Sequence, residues 1–267
     1  MTNIIIGSGN LSLKLQQKLG GIIVSIDFID DFFSKNIEEN VNIIFNQFQK
    51  STKLYDVSAP NNYINRSILS TAKVLNYIKS KNLKVNKIIY TSSSSVYGDN
   101  PSCQESDNPK PKSLHSALKL SNEKLIELFC KENSIDYTIT RIFNMYGGDD
   151  SFSIISKIIN SYKEKKCLTL VNHGESIRDY IYIDDVVYSY EKILSKKDIS
   201  MVNIGTSMGK SVLFILNFLQ LRGINIEIEN IYRDELKISI SKNEKLLEIL
   251  NDHHFKKVED FIYKELV

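Results

Sequence analysis

Short, wholly apolar runs alternate with longer stretches of helical periodicity along most of the chain. Asn3 to Ile6 reads as a buried-type strand that runs into Gly7-Ser8-Gly9-Asn10, and a helical pattern follows from Leu11 to Leu19. Gly21 to Asp27 reads as a second strand, residues 29 to 40 as a short helix, and Val41 to Phe45 as a third strand whose end, Asn46-Gln47-Phe48, faces the same crevice. Asn62 to Lys81 is a long helix with apolar residues at 64, 68, 75 and 78. Lys87 to Tyr90 is a strand entering a run of serines, Leu114 to Lys131 a helix, and Tyr137 to Phe143 a strand followed by a turn at 144 to 148.

Beyond Gly148 the alternation loosens. Phe152 to Tyr162 reads as a helix, Leu168 to Val171 as a strand and Arg178 to Ile183 as extended chain. Asp184-Asp185 is expected to cap a helix that ends at Leu194. Met201 to Ile204 is a strand, Val212 to Leu221 a helix and Ile224 to Ile231 a strand, and two helical stretches close the chain. The pattern predicts an α/β fold, a Rossmann-type doubly wound parallel sheet with a small C-terminal α/β lobe. Residues 1–148, completed by about 178–206, make the dinucleotide-binding domain; 149–177 and 207–267 make the lobe.

Composition narrows the function by exclusion. The net charge of +2 is spread over interspersed acids and bases, so no basic face points to nucleic acid or membrane. Cys103, Cys130 and Cys167 are widely spaced and form no CxxC pair, which argues against disulfides and zinc and for a reducing cytoplasm. The N-terminus lacks the layout of a signal peptide, and no run is long enough to span a bilayer.

The chemistry concentrates at the two ends of the first half. Gly7 and Gly9 permit a tight strand-to-helix turn, and Asn10 and Leu11 open a helix whose positive end suits a diphosphate. Ser12 stands where the third glycine of GxGxxG falls. Asp27, twenty residues after Gly7, can accept both hydroxyls of an adenosine ribose, which favours NAD while leaving NADP open; the competing reading is a helix N-cap. Farther on, the strand-end run Thr91-Ser92-Ser93-Ser94-Ser95 precedes His115 and Lys119, one helical turn apart. A serine with an i, i+4 acid–base pair suits proton transfer at an alcohol.

These segments, taken in order, resemble the extended short-chain dehydrogenase/reductase family of nucleotide-sugar epimerases, dehydratases and 4-keto-reductases. Ile6-Gly7-Ser8-Gly9 is similar to its cofactor turn, Tyr90 through Gly98 to its strand-end serine motif, and Pro111 through Leu120 with Glu123 to its catalytic helix. Arg141 through Gly147, Gly174 through Asp185, Asn203-Ile204-Gly205 and Arg233 resemble its later signatures. The resemblance implies that Ser93 hydrogen-bonds the reacting sugar oxygen and that Lys119 binds the nicotinamide ribose and sets the acid/base. It implies that Asn144, Arg178, Tyr180 and Arg233 meet a nucleotide-diphosphate sugar. Ion pairs of Arg178 with Asp179 and of Arg233 with Asp234 are the competing readings.

The chain departs from that pattern in three places: His115 replaces the tyrosine, Ser12 replaces a glycine, and the stretch between Asp27 and Val41 lacks an edge strand and a helix. His115 admits three readings: the acid/base, a bystander to Ser93 or a water, or the mark of a silent binding protein. The leading expectation is an NAD(P)-dependent epimerase or 4-keto-reductase with Ser93, His115 and Lys119 at its centre. The family also implies a homodimer through helices 62–81 and 114–131, with Ile68, Leu75 and Ile78 available to face the partner.

Overall fold

The computed structural model describes residues 2–35, 37, 40–46 and 58–267. The helix expected over 29–40 ends at Ser34, with Lys35 extended; residues 36, 38 and 39 and the crevice edge at Gln47-Phe48 lie outside the described residues. The first sheet is built from β1 (Thr2–Ile6), β2 (Ile22–Val24), β3 (Val41–Phe45), β4 (Val85–Ser93), β6 (Asp136–Ile142) and β10 (Met201–Ile204), with β5 (Ser102–Cys103) elsewhere. Its order is β2-β1-β3-β4-β6-β10, and every pairing is parallel. The edge beyond β2 is where the expected missing strand would lie, and among the described residues a 3-10 turn (Ile26–Phe28) and the short α2 (Ile29–Ser34) bridge β2 to β3.

Alternation within each strand explains why both sheet faces are covered. Ile4 and Ile6, Ile43 and Phe45, and Ile88 and Tyr90 enter one cluster with α2 and α4 (Ser70–Ser80), the latter running on from α3 (Pro60–Ile64). Ile5, Ile44 and Ile89 enter the other, with α1 (Asn10–Leu19), α7 (Ile183–Leu194) and α9 (Glu244–Leu250). A strand with apolar side chains on both faces demands two helical layers. The helix expected over 62–81 is interrupted by a π-type turn at Asn65–Leu69. α5 (Leu114–Glu132) starts from a reciprocal capping box, in which Ser113 Oγ accepts the Ser116 N–H and Ser116 Oγ accepts the Ser113 N–H.

The C-terminal half differs from the expected layout in several places. The segment 144–148 is not a turn throughout: Asn144–Tyr146 is β7, and Gly147 and Gly148 turn at φ 92° and 65°. β7 pairs with β9 (Ile177–Tyr182), which joins β11 (Gly209–Ser211), β13 (Ile238–Ser241) and β5 in a second sheet. Of residues 178–206, α7 and β10 therefore complete the first sheet, while β9 belongs to the second. β5 and β11 are too short and polar to show a period, and β13, Ile-Ser-Ile-Ser, alternates over four residues only. Asp184 and Asp185 lie in the first turn of α7, and no side chain caps it. β8 (Leu168–Val171) pairs with β12 (Ile228–Ile231), four residues shorter than the expected strand. α6 (Ile154–Glu164), α8 (Val212–Gln220) and α10 (Val258–Leu266) enclose the lobe's own core.

A buried carboxylate joins the two sheets. Asp179, on β9, accepts from the Thr206 N–H and hydroxyl, the Ser207 N–H, and the Ser241 N–H and hydroxyl, at 2.5 to 3.1 Å. Such a saturated acceptor holds the chain after β10 and the chain of β13 against β9. Its carboxylate is thereby committed, so it does not form the ion pair with Arg178 that adjacency in sequence allowed.

Candidate active site

β1 pairs with β2 on one side and β3 on the other, so the strand order reverses beside α1. In an open α/β sheet a ligand crevice opens at that switch point. Gly7 turns at φ 107°. Gly9 is the N-cap of α1 with no side-chain cap, and a Cβ built on it meets nothing within 4 Å. The start of α1 therefore carries no capping side chain and leaves room beside Gly9, which suits a dinucleotide diphosphate. The side chains of Asn10 and Leu11 are engaged within the protein itself. The Asn10 amide donates to the Gly147 carbonyl (2.9 Å) and accepts the Asp149 N–H (3.0 Å), and the Leu11 side chain is core. Ser12 is fully buried and accepts from Asn46 Nδ2 at 2.7 Å, so the hydroxyl that replaces a glycine is satisfied at the end of β3.

β2 ends at Val24, and Asp27 lies in the exposed 3-10 turn Ile26–Phe28 that follows. Its carboxylate faces Arg66 Nη2 at 3.3 Å, and it caps no helix. Sequence reading did not foresee Arg66. The contact depends on the π-type turn that carries it.

β4, the following 3-10 turn Ser94–Tyr97 and α5 bring the three central residues together. Ser93 ends β4 and its hydroxyl accepts the Ser95 N–H at 3.2 Å. Lys119 Nζ donates to the Thr91 carbonyl at 2.7 Å, two residues before Ser93, and lies 5.1 Å from the centre of the Tyr90 ring. Burial lowers its pKa from 10.5 to about 7, against the opposing charge of Glu123. His115 is half-buried and has no hydrogen-bond partner among the described residues. Burial, and then the Lys119 charge, lower its pKa to about 4, so its imidazole is neutral at pH 7.

Beneath Ser93 lies a network that the motif reading contained but did not connect. Ser92 donates to Glu123, and Glu123 holds Arg141 through two bonds of 3.1 and 2.7 Å, both side chains almost fully buried. The Arg141 guanidinium lies over the Tyr97 ring at 4.7 Å, and the Tyr97 hydroxyl donates to Asn203 Oδ1 at 2.7 Å. The available signal was a charged residue, Arg141, inside an otherwise uncharged strand end, with Glu123 one turn past Lys119.

Of the residues expected to meet substrate, Asn144 donates to the Asp179 carbonyl at 3.1 Å. Arg178 is paired with Glu235 at 3.3 Å. Arg233 is exposed, with its backbone held by Asn172. Tyr180 is packed into the lobe core, where burial pushes its phenol up to about 12. Its ring packs there, and the charges of Arg178 and Glu235 bear on its phenol. No cluster of metal-ligating side chains occurs among the described residues.

A glycine-led helix start at the switch point of a parallel sheet, with a serine and a lysine at the end of a neighbouring strand, is the layout of a Rossmann-type α/β fold. The family model of the NAD-dependent epimerase/dehydratase family matches residues 12–205, and the chain belongs to that family. A dTDP-D-glucose 4,6-dehydratase of Dictyostelium discoideum is 31% identical over 210 residues, 70% of this chain and 45% of that one. Protein CapI of Staphylococcus aureus is 29% identical over 178 residues, 65% of this chain and 52% of that one. The chain thus spans about half the length of these relatives. A Bacillus cereus UDP-glucuronic acid 4-epimerase, solved with UDP-glucuronic acid and NAD, superposes with a TM-score of 0.84 at 21% identity, over 100% of this chain and 98% of that one. A Thermotoga maritima UDP-glucose 4-epimerase gives 0.85 at 21% identity, covering 100% and 97%. At such identities the likeness shows the shared fold.

Proposed function

We propose that the chain is an NAD(P)-dependent epimerase or 4-keto-reductase of a nucleotide-diphosphate sugar, with NAD as the coenzyme. The observation that carries this reading is Lys119 Nζ on the carbonyl of Thr91, two residues from Ser93, with a neutral His115 one turn away on the same helix. The open N-terminus of α1 fits the coenzyme diphosphate, and Asp27 stands by for the adenosine ribose. Bound NAD supplies the hydride chemistry; the side chains handle the proton. Ser93 orients the sugar oxygen. His115 donates its neutral N–H to that oxygen, or accepts a proton from it. Lys119, with a pKa near 7, exchanges protons readily at neutral pH. Arg178, Arg233 and Asn144 hold the substrate diphosphate. Exposed Leu69 and Leu128, rather than Leu75 and Ile78, which are spent in the chain's own core, suit a homodimer through α4 and α5. The three free cysteines suit a reducing cytoplasm.

Purified protein incubated with UDP- and dTDP-sugars, their 4-keto forms and NAD(H), and analysed by chromatography, tests the reading. Conversion of one sugar nucleotide, lost in Lys119→Met, is expected. Binding of coenzyme and nucleotide with no conversion of any member of the panel refutes the enzyme and leaves a binding protein, the reading that an unpartnered His115 favours.

A further inference from the structure

Arg178 projects from β9 with its guanidinium already engaged. Nη1 donates to the carbonyls of Ile177 (2.9 Å) and Lys237 (3.4 Å), and Nη2 donates to Glu235 Oε2 at 3.3 Å. The second Glu235 oxygen accepts from Asn172 Nδ2 at 3.2 Å. The same Asn172 side chain brackets Arg233, donating to its carbonyl at 2.7 Å and accepting its N–H at 3.3 Å. One carboxylate is thus seated where the strand bearing Arg178 meets the segment bearing Arg233.

Resting on the assignment of Arg178 as a diphosphate ligand, we propose that Glu235 is an internal counter-ion that competes with the substrate diphosphate for Arg178 and so sets the affinity for the nucleotide. The contacts of Glu235 suit a competitor better than a fixed support. At 3.2 and 3.3 Å they are longer than the 2.7–2.9 Å of a strong charge-assisted bond. Arg178 and Glu235 retain 19% and 21% of their side-chain exposure, so water reaches both. Nη1, in contrast, stays anchored on carbonyls whether or not the carboxylate leaves. A diphosphate arriving at Nη2 displaces Glu235 or shares the guanidinium with it. In either case it gains only the difference between two anions on one cation. Removing the carboxylate charge while keeping its shape therefore strengthens diphosphate binding, although it deletes an ion pair of the resting protein.

Titration calorimetry of the full chain with UDP, at low and at physiological salt, tests this. Glu235→Gln is expected to bind UDP about tenfold more tightly than the wild type at low salt, the scale of one hydrogen bond to a charged group. The gain narrows as salt screens the charges, and Arg178→Gln in the same background abolishes it. Where Glu235→Gln does not fold, Glu235→Ala serves the same comparison. Wild-type binding that either variant leaves unchanged or weakens overturns the role of Glu235 alone. Wild type and variants all failing to bind UDP overturns the sugar-nucleotide reading on which that role rests.

Discussion

Replacing Lys119 by methionine separates what the buried amine does to the fold from what it does in the site. Burial brings its pKa from 10.5 to about 7 in the folded chain. A lysine whose folded pKa lies below its unfolded value binds fewer protons when folded. The unfolded chain takes up the difference, so stability rises with pH between the two values and is lost as pH falls through that window. From pH 10 down to pH 7 the linkage amounts to about 3 to 4 kcal/mol lost by the wild type. Methionine has a similar length and no proton to bind, so the variant escapes that loss. It gives up the 2.7 Å bond to the Thr91 carbonyl, a loss of about 1 to 3 kcal/mol at every pH. The variant is therefore more stable than the wild type at pH 7, by about 1 to 3 kcal/mol, and equal or less stable at pH 10. Urea unfolding followed by circular dichroism at the two pH values measures both differences. A stability difference independent of pH refutes the depressed lysine, and with it the account of Lys119 as a group that exchanges protons at neutral pH.

Three further outcomes follow from the same geometry. His115 has a folded pKa of about 4 against 6.5 for an ordinary imidazole, so it removes stability as pH falls from 6.5 through 4; His115→Gln lowers the midpoint of acid unfolding, and an unmoved midpoint contradicts its burial. Glu123→Gln strips one charge from a pair that is 3% and 4% exposed and destabilises the chain by about 3 to 5 kcal/mol, read as a lower urea midpoint. Asp27→Ala releases Arg66 beside the adenosine end of the crevice and reduces the preference for NADH over NADPH about tenfold in coenzyme titrations, while an unchanged ratio removes Asp27 from coenzyme selection.

The first sheet was legible because its strands are apolar on both faces and its turns carry glycine, so period and punctuation agree from Asn3 to Phe45. Ser93, His115 and Lys119 were legible for a local reason, since a strand end and one helical turn fix their relation. What escaped depends on partners far apart in sequence. β5 is two residues long and β13 alternates over only four, and no local pattern tells that they join across more than a hundred residues. Asp179 looked like a neighbour for Arg178, yet alternation along β9 sends it to the opposite face, where it collects five hydrogen bonds. Tyr180, two residues on from Arg178, stays on the face of Arg178, and its ring packs in the lobe core. Arg66 and Glu235 carried no local signal. Each acquires meaning only from the charge the fold sets against it.

That last point bears on how the site handles charge. Counted along the chain, Lys119, Arg178 and Arg233 suggest three positive charges converging on a doubly charged diphosphate. Folding withdraws two of them in different ways. Burial takes the proton from a large part of Lys119 at pH 7 and leaves His115 neutral beside it, so this end of the site holds groups that exchange protons more readily than they attract anions. Glu235 neutralises Arg178 at the other end. Arg233 is exposed, with its backbone held by Asn172. If the two arginines hold the nucleotide diphosphate as proposed, initial capture falls to Arg233, and Arg178 is recruited only when Glu235 yields. On that proposal two arginines that look equivalent in the sequence act in succession, and Arg233→Gln is expected to slow association with UDP in stopped-flow measurements, whereas Arg178→Gln chiefly speeds dissociation. Equal effects of the two substitutions on both rates contradict that order.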